Sequence, residues 1–265
     1  MFSRPLKSHE LQFYEDHHYL VLRQPFGPQK SKKLQEWADE LIRWPETPGK
    51  WMKYFETSPL TGERMLCRVE NFLEYHRGFR RLLQDPILLD ILQELMGEPP
   101  TLFKEKINMK LAGGAGFGAH QDAPAFTTFG QRYHITMMLA IDDSTIANGC
   151  LQFSSPVEMY QTLPQNPDGT LCSKLEAKLP WHSLEEVEAG DVVLFDSYIP
   201  HRSPKNPSRH SRRAGFITYN RKSEGDYRKN YFEDKRKSFP PECERIFGVD
   251  YSTRESVYNL GNPIR

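Results

Sequence analysis

No stretch of this chain stays apolar for the roughly 18 residues that a membrane-spanning helix requires, so neither a transmembrane helix nor a membrane partner is expected. An excess of charge of one sign is also missing: 35 basic and 35 acidic residues give a formal net charge of zero. A nucleic-acid binder needs surplus cations to meet phosphates, and that class is set aside, while a local basic pocket stays compatible with the balance. Cysteine is scarce, and Cys67, Cys150, Cys172 and Cys243 form no CxxC pair. That scatter predicts reduced thiols and a cytoplasmic protein. The opening Met-Phe-Ser-Arg-Pro-Leu-Lys has neither an apolar signal core nor the Arg/Ser-rich, acid-poor character of a transit segment, which points the same way. Internal repeats and low-complexity tracts are lacking too. What is present is a 38% hydrophobic, 12% aromatic composition, enough to build a sizeable core.

The first hundred residues read as helices with strand interruptions. Leu34, Trp37 and Leu41 make one apolar stripe within Lys30 to Trp44, and Leu88, Ile91, Leu92 and Leu95 make another, stopped by Gly97 and then by Pro99-Pro100. From Thr101 the period changes to two. Phe103, Glu105, Ile107, Met109 and Leu111 alternate with Lys104, Lys106, Asn108 and Lys110, an apolar face spoiled only by Glu105. The lysine face is either a basic lining at the mouth of a barrel or a solvated edge. Ile135 to Ile141, Cys150 to Phe153, Val192 to Phe195 and Ala214 to Tyr219 are further short apolar runs bounded by turns such as Asn148-Gly149 and Gly190-Asp191. Several short strands without intervening helices predict a mainly β fold, a sandwich or jelly roll with the early helices packed on one sheet. The dense charges of Lys222 to Lys237, interleaved with Tyr227, Tyr231 and Phe232, read as a solvated helix or loop ahead of a substrate lid.

Of the nine histidines only His120 has an acid two residues on, Asp122. The spacing alone is weak, since composition produces it by chance roughly 0.4 times in such a chain. Context strengthens it. The pair leaves a Gly113-Gly114-Ala115-Gly116-Phe117-Gly118 turn, and on extended backbone both side chains project to one face. The best third ligand is His201, just past the apolar run Val192 to Phe195. Two imidazoles and one carboxylate with open positions form the facial triad of non-haem Fe(II) oxygenases, leaving room for a chelating 2-oxo acid and O₂. The far carboxylate of such an acid calls for a guanidinium, and Arg212 or Arg213 at the entry to Ala214–Tyr219 could supply it.

His120-Gln121-Asp122, Asn148-Gly149-Cys150-Leu151, Gly190-Asp191-Val192-Val193, His201-Arg202-Ser203 and Asn206-Pro207-Ser208 through Arg212 together resemble the phytanoyl-CoA dioxygenase family, from about Lys104 to Asn220. The resemblance implies a double-stranded β-helix (cupin-like jelly roll) core, with His120, Asp122 and His201 as both catalytic residues and Fe(II) ligands. It also implies 2-oxoglutarate as co-substrate with O₂, held by Arg212. Asn108, Phe117 and Ser203 resemble residues lining the 2-oxoglutarate site of a hydroxylase in the same family. It favours a small polar substrate, such as 2-aminoethylphosphonate or a similar zwitterion, with an uncharged or lipophilic metabolite as the alternative. Arg132, Arg202 and His134 are candidate substrate contacts, Arg132 and Arg202 foremost, beside Lys104, Lys106 and Lys110. One departure stands out: Ser154-Ser155-Pro156-Val157-Glu158-Met159 replaces the family's usual Pro-Gly-Ser-His stretch. The whole then reads as one dioxygenase domain over 1–265, with a helical part at 1–100, the jelly-roll core at 101–221 and a C-terminal extension at 222–265. A zinc hydrolase using the same three ligands would leave the arginine unexplained, and a non-catalytic binding module would not need an intact ligand set.

Overall fold

The computed structural model describes residues 6–155, 158, 160–251 and 258. Pro156, Val157 and Met159 of the departing loop therefore lie outside the described residues, as do 1–5 of the N-terminal part and 252–257 and 259–265 of the C-terminal extension. In chain order the helices are α1 (Ser8–His17), α2 (Pro28–Arg43), α3 (Arg77–Leu83), α4 (Pro86–Met96), α5 (Ala123–Phe126), α6 (Ser173–Glu176) and α7 (Arg228–Ser238). The strands are β1 (Tyr19–Leu22), β2 (Met52–Thr57), β3 (Arg64–Glu70), β4 (Pro100–Lys110), β5 (Phe117–His120), β6 (His134–Ala140), β7 (Ser144–Thr145), β8 (Gln152–Phe153), β9 (His182–Ser183), β10 (Glu186–Val187), β11 (Val192–Asp196), β12 (His201–Ser203) and β13 (Arg212–Arg221).

A seven-stranded antiparallel sheet runs β1-β11-β6-β13-β4-β3-β2, and a four-stranded sheet runs β5-β12-β8-β9. Residues of both sheets line one internal cavity, so the expected double-stranded β-helix is the observed core. Three strands from the region read as mostly helical, β1 on one side and β3-β2 on the other, widen the large sheet. No helix among the described residues is long and apolar enough to cross a membrane.

The outer face of the large sheet is apolar because the helices cover it. Leu34, Ala38 and Leu41 of α2 and Leu88, Ile91, Leu92 and Met96 of α4 share one cluster with Ile107, Met109, Ile135, Met137, Leu139 and Ile217. Local chemistry sets the α4 boundaries. The Asp85 carboxylate accepts from the Ile87 N–H at 3.1 Å, Pro86 occupies the first turn, and Gly97 closes the helix at φ 74°. Once that face of β4 is committed to the helices, the alternating face carrying Lys104, Lys106, Asn108 and Lys110 has to point inward.

Glu105, the one polar residue on the apolar face, explains how α7 is held. It is fully buried, accepts from the Leu73 N–H at 3.1 Å, and receives both terminal nitrogens of Arg228 at the start of α7, one at 2.9 Å. Near the other end of α7, Lys235 gives Glu70 two contacts of 2.7 Å, with both groups buried. Tyr231 and Phe232 are buried between these anchors. One face of the charge-dense segment is thus a fixed wall, while Lys229, Glu233 and Asp234 on the other face are exposed, as the solvated helix its composition predicts. The wall forms because Arg228 and Lys235 have buried carboxylate partners which sequence spacing does not reveal.

Candidate active site

β5 and β12 are neighbours, and their register puts His201 directly across from His120. Asp122 follows two residues later at the cap of α5. One ligand atom from each of the three lies within 4.8 Å of the others. Each imidazole faces a backbone carbonyl through Nδ1: His120 reaches Gly118 at 2.7 Å and His201 reaches Ile199 at 3.1 Å. A carbonyl only accepts, so Nδ1 carries the proton and the Nε2 lone pair is left free for an ion. Oδ1 of Asp122 stands 3.8 Å from His120 Nε2, while Oδ2 accepts from the Thr136 hydroxyl at 3.3 Å.

The protonation states suit a divalent cation. Burial, then the neighbouring His201, pushes His120 down to about 3, and burial lowers His201 as well. Burial alone would raise Asp122, but His201, Lys104 and His120 outweigh it and hold the carboxyl at about 2. Two neutral imidazoles and one carboxylate are the donor set that non-haem Fe(II) takes, so these residues fit that ion. An imidazole with a lowered pKa does not compete for protons at neutral pH. Metal uptake by the metal-free protein is therefore expected to stay flat between about pH 6 and 8, where an ordinary histidine of pKa about 6.5 would weaken binding as the pH falls. A pH titration of Co(II) affinity checks this. A loss of affinity centred near the ordinary histidine pKa would contradict it.

The far end of the cavity is cationic. Arg212 opens β13 opposite Lys110 of β4, and both are buried. Lys110 donates to Gly149 O at 2.9 Å and to Ser203 Oγ at 2.6 Å, and the ammonium lies near the Phe117 ring. Arg212 also donates to Gly149 O at 2.9 Å, yet its Nε is buried with no partner among the described residues. A buried orphan donor on a cation is unusual and is satisfied if an anion binds there. Burial lowers Arg212 to about 10, so the guanidinium stays charged at neutral pH. Arg213 points to the opposite face, where Asp142 accepts from its Nε and a terminal nitrogen at 2.8 and 2.7 Å. Between the two arginines the sequence left open, Arg212 faces the cavity.

Asn108, Phe117, Ser203 and Arg202 line the same cavity. Arg202 is already committed: its guanidinium bonds Gln152 at 2.8 Å and Glu176 at 2.7 Å and lies over Trp181. Arg132 and His134, two of the three expected substrate contacts, are not brought into it. Arg132 is exposed, with its guanidinium beside the Tyr160 ring, because it precedes β6 on the outer side. His134 is buried among Phe103 and Phe126, with Nε2 bonded to Gln131 at 3.0 Å. The cations that do enter are Lys104 and Lys106, which make no ion pair with a carboxylate among the described residues. Burial lowers both, Lys106 well below the ordinary lysine value. Sequence reasoning passed over Thr136 and Thr218, which also line the cavity and join through their hydroxyls at 3.1 Å. Their signal was a hydroxyl inside each of two otherwise apolar runs.

The phytanoyl-CoA dioxygenase family profile matches residues 14–214. The chain is 56% identical to the 2-aminoethylphosphonate dioxygenase of uncultured bacterium HF130_AEPn_1 over 252 residues, covering 95% of this chain and 96% of that protein. It is 40% identical to a methylphosphonate hydroxylase of Gimesia maris, with 83% of each chain covered. Among solved structures, EctD from S. alaskensis with 2-oxoglutarate and 5-hydroxyectoine superposes with a TM-score of 0.72 at 20% identity, over 84% of this chain and 79% of that one, a likeness of fold. Iron, an oxo acid and O₂ are therefore the reagents this cavity serves, and the chain belongs to the phytanoyl-CoA dioxygenase family of Fe(II)- and 2-oxoglutarate-dependent oxygenases.

Proposed function

We propose that this oxygenase hydroxylates a small phosphonate zwitterion, with 2-aminoethylphosphonate the best fit. The observation that carries the reading is the pair of cavity-lining lysines, buried Lys104 and half-buried Lys106, on the inner face of β4 beside the His120–Asp122–His201 cluster. Holding unpaired ammonium groups in a water-poor wall costs free energy, and a doubly charged ligand headgroup offsets that cost. The activities of the two relatives, both on phosphonates, support the same substrate class. An uncharged or lipophilic substrate would leave both lysines unmatched.

In this reading His120, Asp122 and His201 hold the iron, and Arg212, Ser203, Asn108 and Phe117 hold 2-oxoglutarate. Iron and the oxo acid, when bound, supply the oxidising chemistry by coupling O₂ activation to decarboxylation. The chain's own residues do the rest. The Gly118 and Ile199 carbonyls fix the imidazole tautomers, and Thr136 holds the second oxygen of Asp122. Met138, Leu151 and Phe216 keep the space between the two cationic ends apolar, which limits water there. Residues 1–265 act as one catalytic unit with α7 as a wall, and the protein works in the cytoplasm, a reading its four free cysteines support.

Lys104→Met and Lys106→Met test this reading. Each is expected to raise KM for 2-aminoethylphosphonate by about 10- to 100-fold, the scale of a lost hydrogen bond to a charged group, and to leave 2-oxoglutarate affinity unchanged. Lys104→Met is also expected to raise the thermal midpoint of the substrate-free protein, because a buried ammonium with no carboxylate partner among the described residues is removed. Succinate release should be screened over aminophosphonates, amino acids, betaines and acyl thioesters. Turnover confined to acyl thioesters, or lysine variants with unchanged KM, would defeat the proposal.

A further inference from the structure

Arg68 of β3 is paired in register with Asn108 of β4, and its side chain is almost fully buried. Its Nε donates to Asn108 Oδ1 at 3.0 Å, and the guanidinium also approaches Glu70 Oε1 at 3.4 Å. Glu70 in turn takes both contacts from Lys235 of α7. A guanidinium can only donate. The Asn108 oxygen must therefore be the end that faces Arg68, and the NH₂ is the end left toward the cavity. There Nδ2 makes no hydrogen bond among the described residues. Without Arg68 the amide could turn over and aim its oxygen at a bound carboxylate, replacing a donor by a repulsive dipole.

We propose that Arg68 is a positioning residue that locks the Asn108 amide as a donor to 2-oxoglutarate. The inference rests on the reading of Asn108 as a 2-oxoglutarate contact. The Glu70–Lys235 pair stands behind it as a neutral unit, so removing Arg68 leaves no unpaired charge between those two. The same chain of contacts ties the wall helix α7 to the co-substrate site. Nothing in the sequence spacing joins residues 68, 108 and 235; only the β3–β4 register and the docking of α7 do.

The test is a double-mutant cycle read by calorimetric titration of 2-oxoglutarate into the anaerobic, Mn(II)-loaded protein, a readout independent of turnover. Asn108→Ala and Arg68→Met are each expected to weaken binding about tenfold, the scale of one hydrogen bond to a charged group. In the Asn108→Ala background, Arg68→Met is then expected to change the Kd by less than about twofold. An Arg68→Met effect that persists undiminished in that background overturns the proposal, because it would act without the amide. So does an Arg68→Met variant that binds as the parent does while Asn108→Ala does not. An unchanged Kd in Asn108→Ala alone removes Asn108 from the co-substrate site, and the underlying reading falls with the proposal. Asn108→Asp covers the case in which Arg68→Met does not fold. It keeps an acceptor for Arg68 and puts an oxygen where the NH₂ was, so it is expected to weaken binding more than Asn108→Ala without lowering the thermal midpoint. Parent-like affinity in Asn108→Asp also overturns the proposal.

Discussion

Asp122→Ala is expected to abolish iron retention and turnover together, while circular dichroism and the thermal midpoint change little. The carboxylate is the only anionic donor of the three, held near a pKa of about 2 by His201, Lys104 and His120 despite its burial. Two neutral imidazoles remain after its loss, beside Lys104 and Lys106, which repel a cation. Changes in the outer shell of metal sites cost about 10- to 100-fold in affinity, and loss of a direct charged ligand is expected to exceed about 100-fold. His120→Ala should behave alike. The fold is expected to survive because the ligands sit at the cavity and outside the main apolar cluster that packs the helices on the large sheet. Iron stoichiometry unchanged in both variants would sink the assignment.

Arg212→Lys should weaken 2-oxoglutarate by about 10- to 150-fold, since an ammonium cannot reproduce the two parallel hydrogen bonds that a guanidinium offers a carboxylate. The buried, unpartnered Nε is the donor most directly lost. Lys110, bonded to Ser203 and Gly149, cannot substitute without breaking those contacts. Arg213→Lys should leave the co-substrate affinity unchanged, because Arg213 is committed to Asp142 and Asp39 on the opposite face. Anaerobic titration of both variants separates the two. The reverse pattern would mean that the guanidinium reaching 2-oxoglutarate is the neighbouring one.

Local pattern carried much of this in the sequence itself. The period-two alternation of β4, the apolar stripes of α2 and α4, and the motif segments around His120, His201 and Arg212 needed no knowledge of long-range contacts. What spacing did not settle was which face of a strand is interior. Lys104 to Lys110 read equally as a barrel lining or a solvated edge until α2 and α4 claim the opposite face. Arg132 and Arg202 were favoured as substrate contacts because each lies near a ligand segment in sequence. Strand geometry sends Arg132 outward, and Glu176, distant in sequence, ties down Arg202. The buried pairs Glu105–Arg228 and Glu70–Lys235 were equally illegible, since each joins residues more than one hundred positions apart.

The most direct test of the proposed chemistry is to follow ³¹P resonance and succinate together when O₂ is admitted to the anaerobic Fe(II) enzyme with 2-oxoglutarate and 2-aminoethylphosphonate. The expected result is loss of the substrate ³¹P signal, growth of one new phosphonate signal, and succinate formed in equimolar amount. Succinate appearing at the same rate without the phosphonate, with the ³¹P signal unmoved, would contradict phosphonate hydroxylation by this site.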